Sequence, residues 1–300
     1  MSQKTLYVLV GPTAVGKTAL AIALAKQLKT EIISADSRQI YREMILGTAK
    51  PSLQELAEIP HHFINSHSID QEYSAGQYER EAQALLDILF KRHESLVLVG
   101  GSGLYIKGLL EGFDTIPEVP EHVRESLEEQ FEQKGLGWLQ QELETHDPDL
   151  FEGIDQQNPH RLIRALEVKM HTGQSIQSFR GLKKKEHDFR VVKVGLELDR
   201  ESLYKRIDMR MDSMIAQGLF EEAQGLYPKR ALNALQTVGY QEIFDFIEGK
   251  YDKNEAIRLL KRNSRRYAKR QLTWFKRDEE ITWLSAAEEV SALVQKVRSL

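Results

Sequence analysis

Cysteine is absent from the 300 residues of this chain. Disulfide bonds, a thiolate nucleophile and a cysteine-ligated zinc ion are therefore excluded together. No apolar run approaches the roughly 20 residues that cross a bilayer, and the first residues, MSQK, lead into an apolar segment without the pattern of a signal peptide. We expect a monomeric cytoplasmic protein that does not enter a membrane.

The sequence also lacks two features of enzymes that hydrolyse ATP or GTP. No Asn-Lys-x-Asp motif that selects guanine is found, and the strand-like run Leu96–Val99 is followed by Gly100, Gly101 and Ser102 instead of an aspartate that would hold a metal ion. Routine hydrolysis of a nucleoside triphosphate is therefore disfavoured.

A phosphate-binding loop is the strongest signal that the sequence contains. The apolar run Leu6–Val10 predicts a strand, Gly11-Pro12-Thr13-Ala14-Val15-Gly16-Lys17-Thr18 follows, and a helical pattern comes next. The glycines allow backbone N–H groups to surround a phosphate at the helix N-terminus. Lys17 adds a cation and Thr18 a hydroxyl that can hold a magnesium ion. We predict that the loop binds a diphosphate, a triphosphate or a pyrophosphate.

A second predicted strand ends in Asp36, Ser37, Arg38 and Gln39. Ligands of open parallel sheets bind beyond the carboxyl ends of the strands, so Asp36 becomes the best-placed carboxylate beside the loop. The alternative is that Asp36 caps a helix or a turn, which is common for aspartate.

Charge is divided unevenly along the chain although the net charge is only −4. The middle is acidic and the C-terminal third is basic, which suggests an anionic macromolecular partner. A helix predicted from about Lys253 to Arg277 carries cations on a narrow arc, with no acid between Arg258 and Arg277. The like charges of such a helix repel one another unless a polyanion neutralises them, so we favour nucleic acid binding over a solvated face. The cations of the arc are Arg258, Arg262, Arg265, Lys269 and Lys276.

Another predicted helix, after the strand Arg190–Leu198, carries Arg206, Arg210 and Met214 on one stripe. An arginine that reaches a phosphate loop from a helix commonly neutralises a transferred or departing phosphate, and Arg210 is the candidate. A surface ion pair of Arg210 with Asp208 or Asp212 remains the alternative.

These patterns predict an α/β fold in which a P-loop NTPase-like parallel sheet core carries an inserted helical domain. The first part of the core covers residues 1–111, the insertion covers 112–189, and the second part of the core, with the basic helix, covers 190–300. Within the insertion, Arg161 and Arg164 lie on one face of a predicted helix beside His160, where they could reach an anion or form ordinary ion pairs.

Seven segments, spread in order over nearly the whole chain, form a combination that is more specific than any one of them. They are GPTAVGKT (Gly11–Thr18), SADSRQIY (Ser34–Tyr41), VGGSGLYIKGLL (Val99–Leu110), NPHRLIRALEV (Asn158–Val168), RIDMRMDSM (Arg206–Met214), QTVGYQEI (Gln236–Ile243) and RRYAKRQLTWFKRD (Arg265–Asp278). With these segments the sequence resembles the bacterial tRNA dimethylallyltransferases. Ser102 stands where threonine is more usual, and the cysteine-bearing zinc finger of eukaryotic relatives is absent.

The resemblance implies transfer of a dimethylallyl group from dimethylallyl diphosphate to N6 of the adenosine at tRNA position 37, beside the anticodon. It implies that Lys17, Thr18 and Mg²⁺ bind the departing diphosphate, that Arg210 adds positive charge, and that Asp36 is the general base. The target base must leave the anticodon stem-loop to reach the cleft. The implied tRNA contacts are Asp36, Ser37, Arg38, Gln39, Ser102, Arg124, His160, Arg161, Leu162, Ile163, Arg164, Gln236, Thr237, Val238, Gly239, Tyr240 and Gln241.

Three other functions remain open at this point. An adenylate isopentenyltransferase shares the loop chemistry but acts on a free nucleotide, which needs neither the insertion nor the basic helix. A small-molecule kinase with the same sheet would consume ATP. A non-catalytic RNA-binding P-loop module would keep its function without Asp36.

Overall fold

A parallel β-sheet forms the core of the computed structural model, which describes residues 3–179, 181 and 185–300. The spatial order of its six strands is β3-β2-β4-β1-β5-β6, and every neighbouring pair is parallel. The predicted α/β class with a parallel sheet is confirmed. The strands are β1 (Thr5–Val10), β2 (Ile32–Ala35), β3 (His61–His62), β4 (Ser95–Gly100), β5 (Arg190–Glu197) and β6 (Thr282–Ser285).

Helices make up most of the remaining described chain. They are α1 (Lys17–Leu28), α2 (Leu53–Glu58), α3 (Ala75–Leu89), α4 (Gly103–Glu111), α5 (Glu121–Lys134), α6 (Leu136–His146), α7 (Pro148–Gly153), α8 (Pro159–Thr172), α9 (Arg200–Ala216), α10 (Leu219–Leu226), α11 (Gln241–Ile247), α12 (Lys253–Phe275) and α13 (Val290–Ser299). Short 3₁₀ turns cover Ile176–Phe179, Tyr227–Lys229 and Asn233–Leu235. Within the described ranges, none of these helices combines the length and the apolar character that a membrane crossing needs.

Apolar residues on both faces of β1 explain why the sheet is covered on both sides. Leu6 and Val8 pack in a cluster with side chains of α3 and α4, whereas Leu9 packs in another with side chains of α1, α9 and α13. A central parallel strand that is buried on both faces is expected to be apolar throughout rather than alternating. The strand run that precedes the phosphate loop is therefore fixed rigidly by the core.

A third apolar cluster lies apart from the two faces of the sheet. It joins the chain after β2 to the C-terminal end of α9, to α10 and α11, and to the N-terminal half of α12. Tyr240 and Leu260, both fully buried, are among its members. This cluster holds the segment before α11 and the start of α12 together.

The chain divides into two compact units. One consists of Met1–Leu110 together with Glu186–Leu300 and contains the sheet. The other, Glu111–Lys185, contains α5 to α8 and has an apolar core of its own, in which Leu139, Leu143 and Leu166 are fully buried. The predicted insertion, 112–189, overlaps this helical unit, but its last residues, 186–189, belong to the unit that contains the sheet.

Candidate active site

The phosphate loop joins the end of β1 to the first turn of α1. Gly11 has a φ of +141°, and a Cβ at this position would lie 2.6 Å from the carbonyl oxygen of Leu196. Gly16, with a φ of +111°, precedes α1 and offers no side chain to cap it. The N–H groups of the first turn of α1 are therefore left for an anion.

The amine of Lys17 is folded over the loop. Its Nζ donates hydrogen bonds to the carbonyl oxygens of Gly11, at 2.9 Å, and Pro12, at 2.8 Å. Burial lowers the pKa of Lys17 to about 8, the charge of Asp36 opposes this change, and the charge of Arg210 adds to it. A poorly solvated ammonium beside a second cation favours an anionic ligand.

Asp36 follows β2 and accepts two hydrogen bonds from the turn that it begins. Its Oδ1 accepts from the backbone N–H groups of Arg38, at 2.9 Å, and Gln39, at 3.3 Å. The turn-capping alternative is thus correct for one oxygen. Within the described chain, no such bond engages Oδ2, and Asp36 also lines the same cavity as the phosphate loop. One side chain can therefore hold the turn and face a substrate.

Ser37 and Ser102 tie the carboxyl end of β2 to that of β4. The Ser102 Oγ accepts a hydrogen bond from the Ser37 N–H at 2.8 Å and lies 3.1 Å from the Ser37 Oγ, to which it donates. A Cβ at Gly100 would lie 2.1 Å from the carbonyl oxygen of Ala35, which explains the glycine here. The small residues after β4 thus let the two strand ends meet beside the cavity.

Arg38 and Gln39 extend this contact to two loops. Arg38 Nη1 donates to the carbonyl oxygens of Asn233, at 3.0 Å, and Ala234, at 3.1 Å. Gln39 Nε2 donates to the carbonyl oxygens of Thr48, at 3.2 Å, and Ala49, at 3.3 Å. These two side chains therefore fix the surrounding loops in addition to any role towards a substrate.

Arg210 reaches the phosphate loop from α9. Its Nη1 donates to Thr13 Oγ1 at 3.3 Å and its Nη2 to the carbonyl oxygen of Ala49 at 2.8 Å. Burial lowers the pKa of Arg210, an effect that the negative charges of Asp36 and Glu55 oppose. The alternative of a surface ion pair is wrong, because Asp208 and Asp212 pair with cations of α12 instead, as described below.

One cavity of about 380 Å³ lies at this end of the sheet. Apolar side chains such as Ile64, Val99 and Met211 form part of its wall. The predicted site residues that line it are Thr13, Ala14, Gly16, Lys17, Thr18, Asp36, Arg38, Gln39, Arg210, Thr237, Val238 and Gly239.

A magnesium ion fits the oxygen chemistry of this cavity. No described residue forms a hydrogen bond with the Thr18 hydroxyl, which is therefore available at the loop. The described ranges contain no cluster of three or more His, Cys, Asp or Glu side chains that could hold a metal. Mg²⁺ does not need one, since it often takes a single protein ligand, phosphate oxygens and water.

Lys50 and Gln271 are among the cavity residues that the sequence did not reveal. Lys50 donates to Asn65 Oδ1 at 2.6 Å and to the carbonyl oxygen of Tyr41, and burial lowers its pKa to about 8. No periodic pattern in the sequence marks a loop lysine as partly buried. Gln271 is a buried polar residue of α12. Its position among apolar residues on the inner side of that helix was a signal that could have found it.

The charge of α12 is partly compensated, which corrects the sequence analysis. Arg265 pairs with Asp208 and Lys261 with Asp212, each at 2.6 Å. Further carboxylates, Glu255 and Glu197, pair with Arg258 and Lys276. The acids come mostly from other segments, so the local sequence of the helix did not reveal them. Of the cations within α12, those that form no salt bridge with any described residue are Lys253, Arg262, Arg266, Lys269 and Arg270.

The segment Gln236–Gln241 contains one residue that cannot serve as expected. Tyr240 is fully buried, and its hydroxyl donates to Glu222 Oε1 at 2.6 Å. Its side chain therefore stabilises the loop and is removed from the expected tRNA contacts. Gln236 and Gln241 are exposed, and they bond to each other at 2.6 Å.

The helical unit contains the remaining expected tRNA contacts. His160 and Arg161 are exposed on α8, whereas Leu162 and Ile163 are buried in the core of the unit and are also removed from the set. A buried helix face points inward, so these two side chains offer no surface to a partner. The other cations have acidic neighbours: Arg161 lies 3.7 Å from Asp155, Arg164 pairs with Glu167, and Arg124 pairs with Glu128 at 2.9 Å.

A family model and the similar curated proteins point to the same protein family. Residues 39–278 match the family described as IPP transferase. The tRNA dimethylallyltransferase of Cytophaga hutchinsonii is 49% identical over 294 residues, which cover 97% of both chains. The tRNA dimethylallyltransferase 1 of Bacteroides fragilis is 45% identical over 98% of this chain and 97% of its own.

Solved structures agree with the sequence matches. The full-length tRNA isopentenylpyrophosphate transferase of Bacillus halodurans has a TM-score of 0.73 at 37% identity, covering 99% of this chain and 95% of that one. A eukaryotic dimethylallyltransferase described as acting on tRNA has a TM-score of 0.77 at 26% identity, covering 94% of this chain and 74% of that one.

Proposed function

The chain belongs to the IPP transferase family, and on that premise we propose that it is a tRNA dimethylallyltransferase. It transfers the dimethylallyl group of dimethylallyl diphosphate to N6 of the adenosine at position 37 of tRNA and releases diphosphate. One observation carries the proposal beyond the family match. A phosphate loop, a partly buried arginine and a carboxylate line a single cavity whose wall also contains apolar side chains.

Dimethylallyl diphosphate fits the cavity, whose wall has a cationic part and an apolar part. The loop N–H groups, Lys17 and Arg210 suit a diphosphate, and apolar side chains such as Ile64 and Met211 suit a short branched hydrocarbon. A phosphoryl-transfer enzyme would have less use for the apolar wall. These features support a prenyl diphosphate as the ligand.

The reaction joins N6 of the adenosine to C1 of the dimethylallyl group while the bond between C1 and the diphosphate oxygen breaks. Negative charge then grows on the diphosphate, where Lys17 and Arg210 stabilise it. Asp36 takes the proton that N6 loses, using the oxygen that the turn does not occupy. Magnesium, held by the Thr18 hydroxyl when bound, supplies further neutralisation of the diphosphate.

Transfer RNA as the acceptor is supported by the exposed cations of α12. Arg266, Lys269 and Arg270 are exposed, and none has a carboxylate partner within the described ranges. A free nucleotide makes no use of such a face, whereas a phosphate backbone releases counterions on it. The target base is swung out of the anticodon loop so that it can enter the cavity.

The proposal is tested by following labelled dimethylallyl diphosphate with Mg²⁺ and without ATP into three acceptors. These are unmodified tRNA, the same tRNA with the target adenosine replaced, and AMP. Label in the intact tRNA alone is expected. Label in AMP would indicate an adenylate isopentenyltransferase instead, and no label in any acceptor would contradict the proposal.

A further inference from the structure

Gln271 lies on α12, and its side chain bonds to the phosphate loop and to the turn after β4. Its Oε1 accepts a hydrogen bond from the backbone N–H of Thr13 at 2.9 Å, and its Nε2 donates to the carbonyl oxygen of Gly101 at 3.1 Å. The residue is only 6% exposed. A buried amide with both ends satisfied is held in one orientation.

The fit of this amide against Gly101 is close. A Cβ at Gly101 would lie 2.2 Å from Gln271 Nε2. The backbone of Gly101 is not in the left-handed region, so an added methyl group would act mainly by displacing the amide. The glycine after β4 therefore leaves the space that Gln271 occupies.

Thr13 links Gln271 to the guanidinium of Arg210. Its N–H is held by Gln271, and its hydroxyl accepts from Arg210. Movement of Thr13 would shift the first turn of the phosphate loop and also remove a partner of the Arg210 guanidinium. Gln271 is thus connected to both groups that face a diphosphate, although it lies on the helix that bears the exposed cations.

We propose that Gln271 is a positioning residue for the phosphate loop, which it fixes against α12 and the turn after β4 through Thr13 and Gly101. The proposal rests on the proposed function only for the identity of the substrate. Gln271 therefore affects binding of the diphosphate and the transfer rate, and it does not affect binding of tRNA.

The first test compares Gln271→Met with the unaltered chain. Methionine has a similar length and no amide, so the packing is retained while both hydrogen bonds are removed. We expect binding of inorganic diphosphate with Mg²⁺ to weaken about tenfold, since freeing a bound loop is comparable to losing a hydrogen bond. The dissociation constant of tRNA is expected to stay within about twofold, because no group that binds phosphates of the tRNA is altered. Unchanged diphosphate binding, or an equal loss for both ligands, would overturn the proposal.

A double-mutant cycle tests whether Gly101 influences diphosphate binding through Gln271. Gly101→Ala is expected to weaken diphosphate binding in the natural chain, but not in a Gln271→Ala background, where the displaced amide is gone. Gly76→Ala is the matched control, since a Cβ there meets nothing nearer than 3.7 Å. Additive losses would show that Gly101 and Gln271 act separately, which contradicts the proposal.

These titrations need only inorganic diphosphate, Mg²⁺ and tRNA. They remain informative if no prenyl group is transferred, so failure of the proposed function and failure of the role of Gln271 are distinguishable. The thermal midpoint of each variant, measured alongside, separates loss of the loop geometry from general unfolding. A fall in diphosphate affinity that merely tracks the loss of folded protein would also contradict the positioning role.

Discussion

Arg210 Nη1 and Thr13 Oγ1 are joined by a hydrogen bond of 3.3 Å, so a helix that follows β5 supplies a cation to the loop that follows β1. The second arm of the guanidinium is held by the carbonyl oxygen of Ala49. Both arms bond to neutral oxygens, and among the described residues the carboxylates of Asp36 and Glu55 act on the charge at longer range. The cation is thus fixed in direction and available to an anion.

Replacement of Arg210 by methionine is expected to slow transfer by about 10²–10³-fold, the usual loss when a donor to developing negative charge is removed. Single-turnover transfer with saturating tRNA measures the effect. Arg258→Met is the matched control, because that arginine is exposed and paired with Glu255 on the same helix. Equal rates for both variants would contradict the role of Arg210.

The exposed cations of α12 are tested by the double replacement Arg266→Ala and Arg270→Ala. We expect weaker tRNA binding. We also expect the slope of the logarithm of the tRNA binding constant against the logarithm of salt concentration to become shallower by about 0.7–0.9 for each tRNA phosphate that is no longer neutralised. The control is Arg258→Ala with Lys276→Ala, whose cations already have carboxylate partners. If the control flattened the salt dependence as much as the test pair, the assignment of the RNA-binding face would be wrong.

Binding of diphosphate is expected to weaken as the pH rises above about 8, because Lys17 loses its proton there and must regain it to bind the anion. Diphosphate also titrates, so Lys17→Arg serves as the reference that stays charged. Lys50→Met is the second control, since burial lowers that pKa to a similar value. Calorimetric titration over pH would contradict the prediction if Lys17→Arg showed the same dependence.

Tyr240→Phe tests the correction made to the expected tRNA contacts. Loss of the hydrogen bond to Glu222 is expected to lower the free energy of unfolding by about 1.5–3 kcal/mol, as for bonds to charged groups. The tRNA affinity of the folded variant is expected to stay the same because the side chain is fully buried. Denaturant unfolding and a binding titration check the two parts, and a large loss of tRNA affinity without destabilisation would contradict the correction.

The sequence was most informative where structure is local. An apolar strand, a glycine loop and a helix follow one another at Leu6–Leu28, so the loop and the type of sheet could be predicted. Asp36 was recognisable because it follows a strand, and the carboxyl ends of parallel strands meet at one edge.

Long-range contacts were beyond such reasoning. The partner of Arg265 is Asp208, far away in the sequence and on another helix, so the charge of α12 was taken as uncompensated. The burial of Leu162 and Ile163 was also missed, because every residue of their segment was expected to contact tRNA. The same segment contains exposed residues such as Arg161. The amphipathic period of α8 could have separated these residues.

Asp36→Asn gives the most direct test of the account, because asparagine keeps the oxygen that accepts from Arg38 and Gln39 and removes only the base. With tRNA and dimethylallyl diphosphate prebound, single-turnover analysis of digested tRNA should find one dimethylallyl group on N6 of adenosine 37 in the unaltered chain. The variant should bind both substrates normally and transfer about 10²–10⁴-fold more slowly. Transfer by the variant at the rate of the unaltered chain, or a product modified at another atom, would contradict the account.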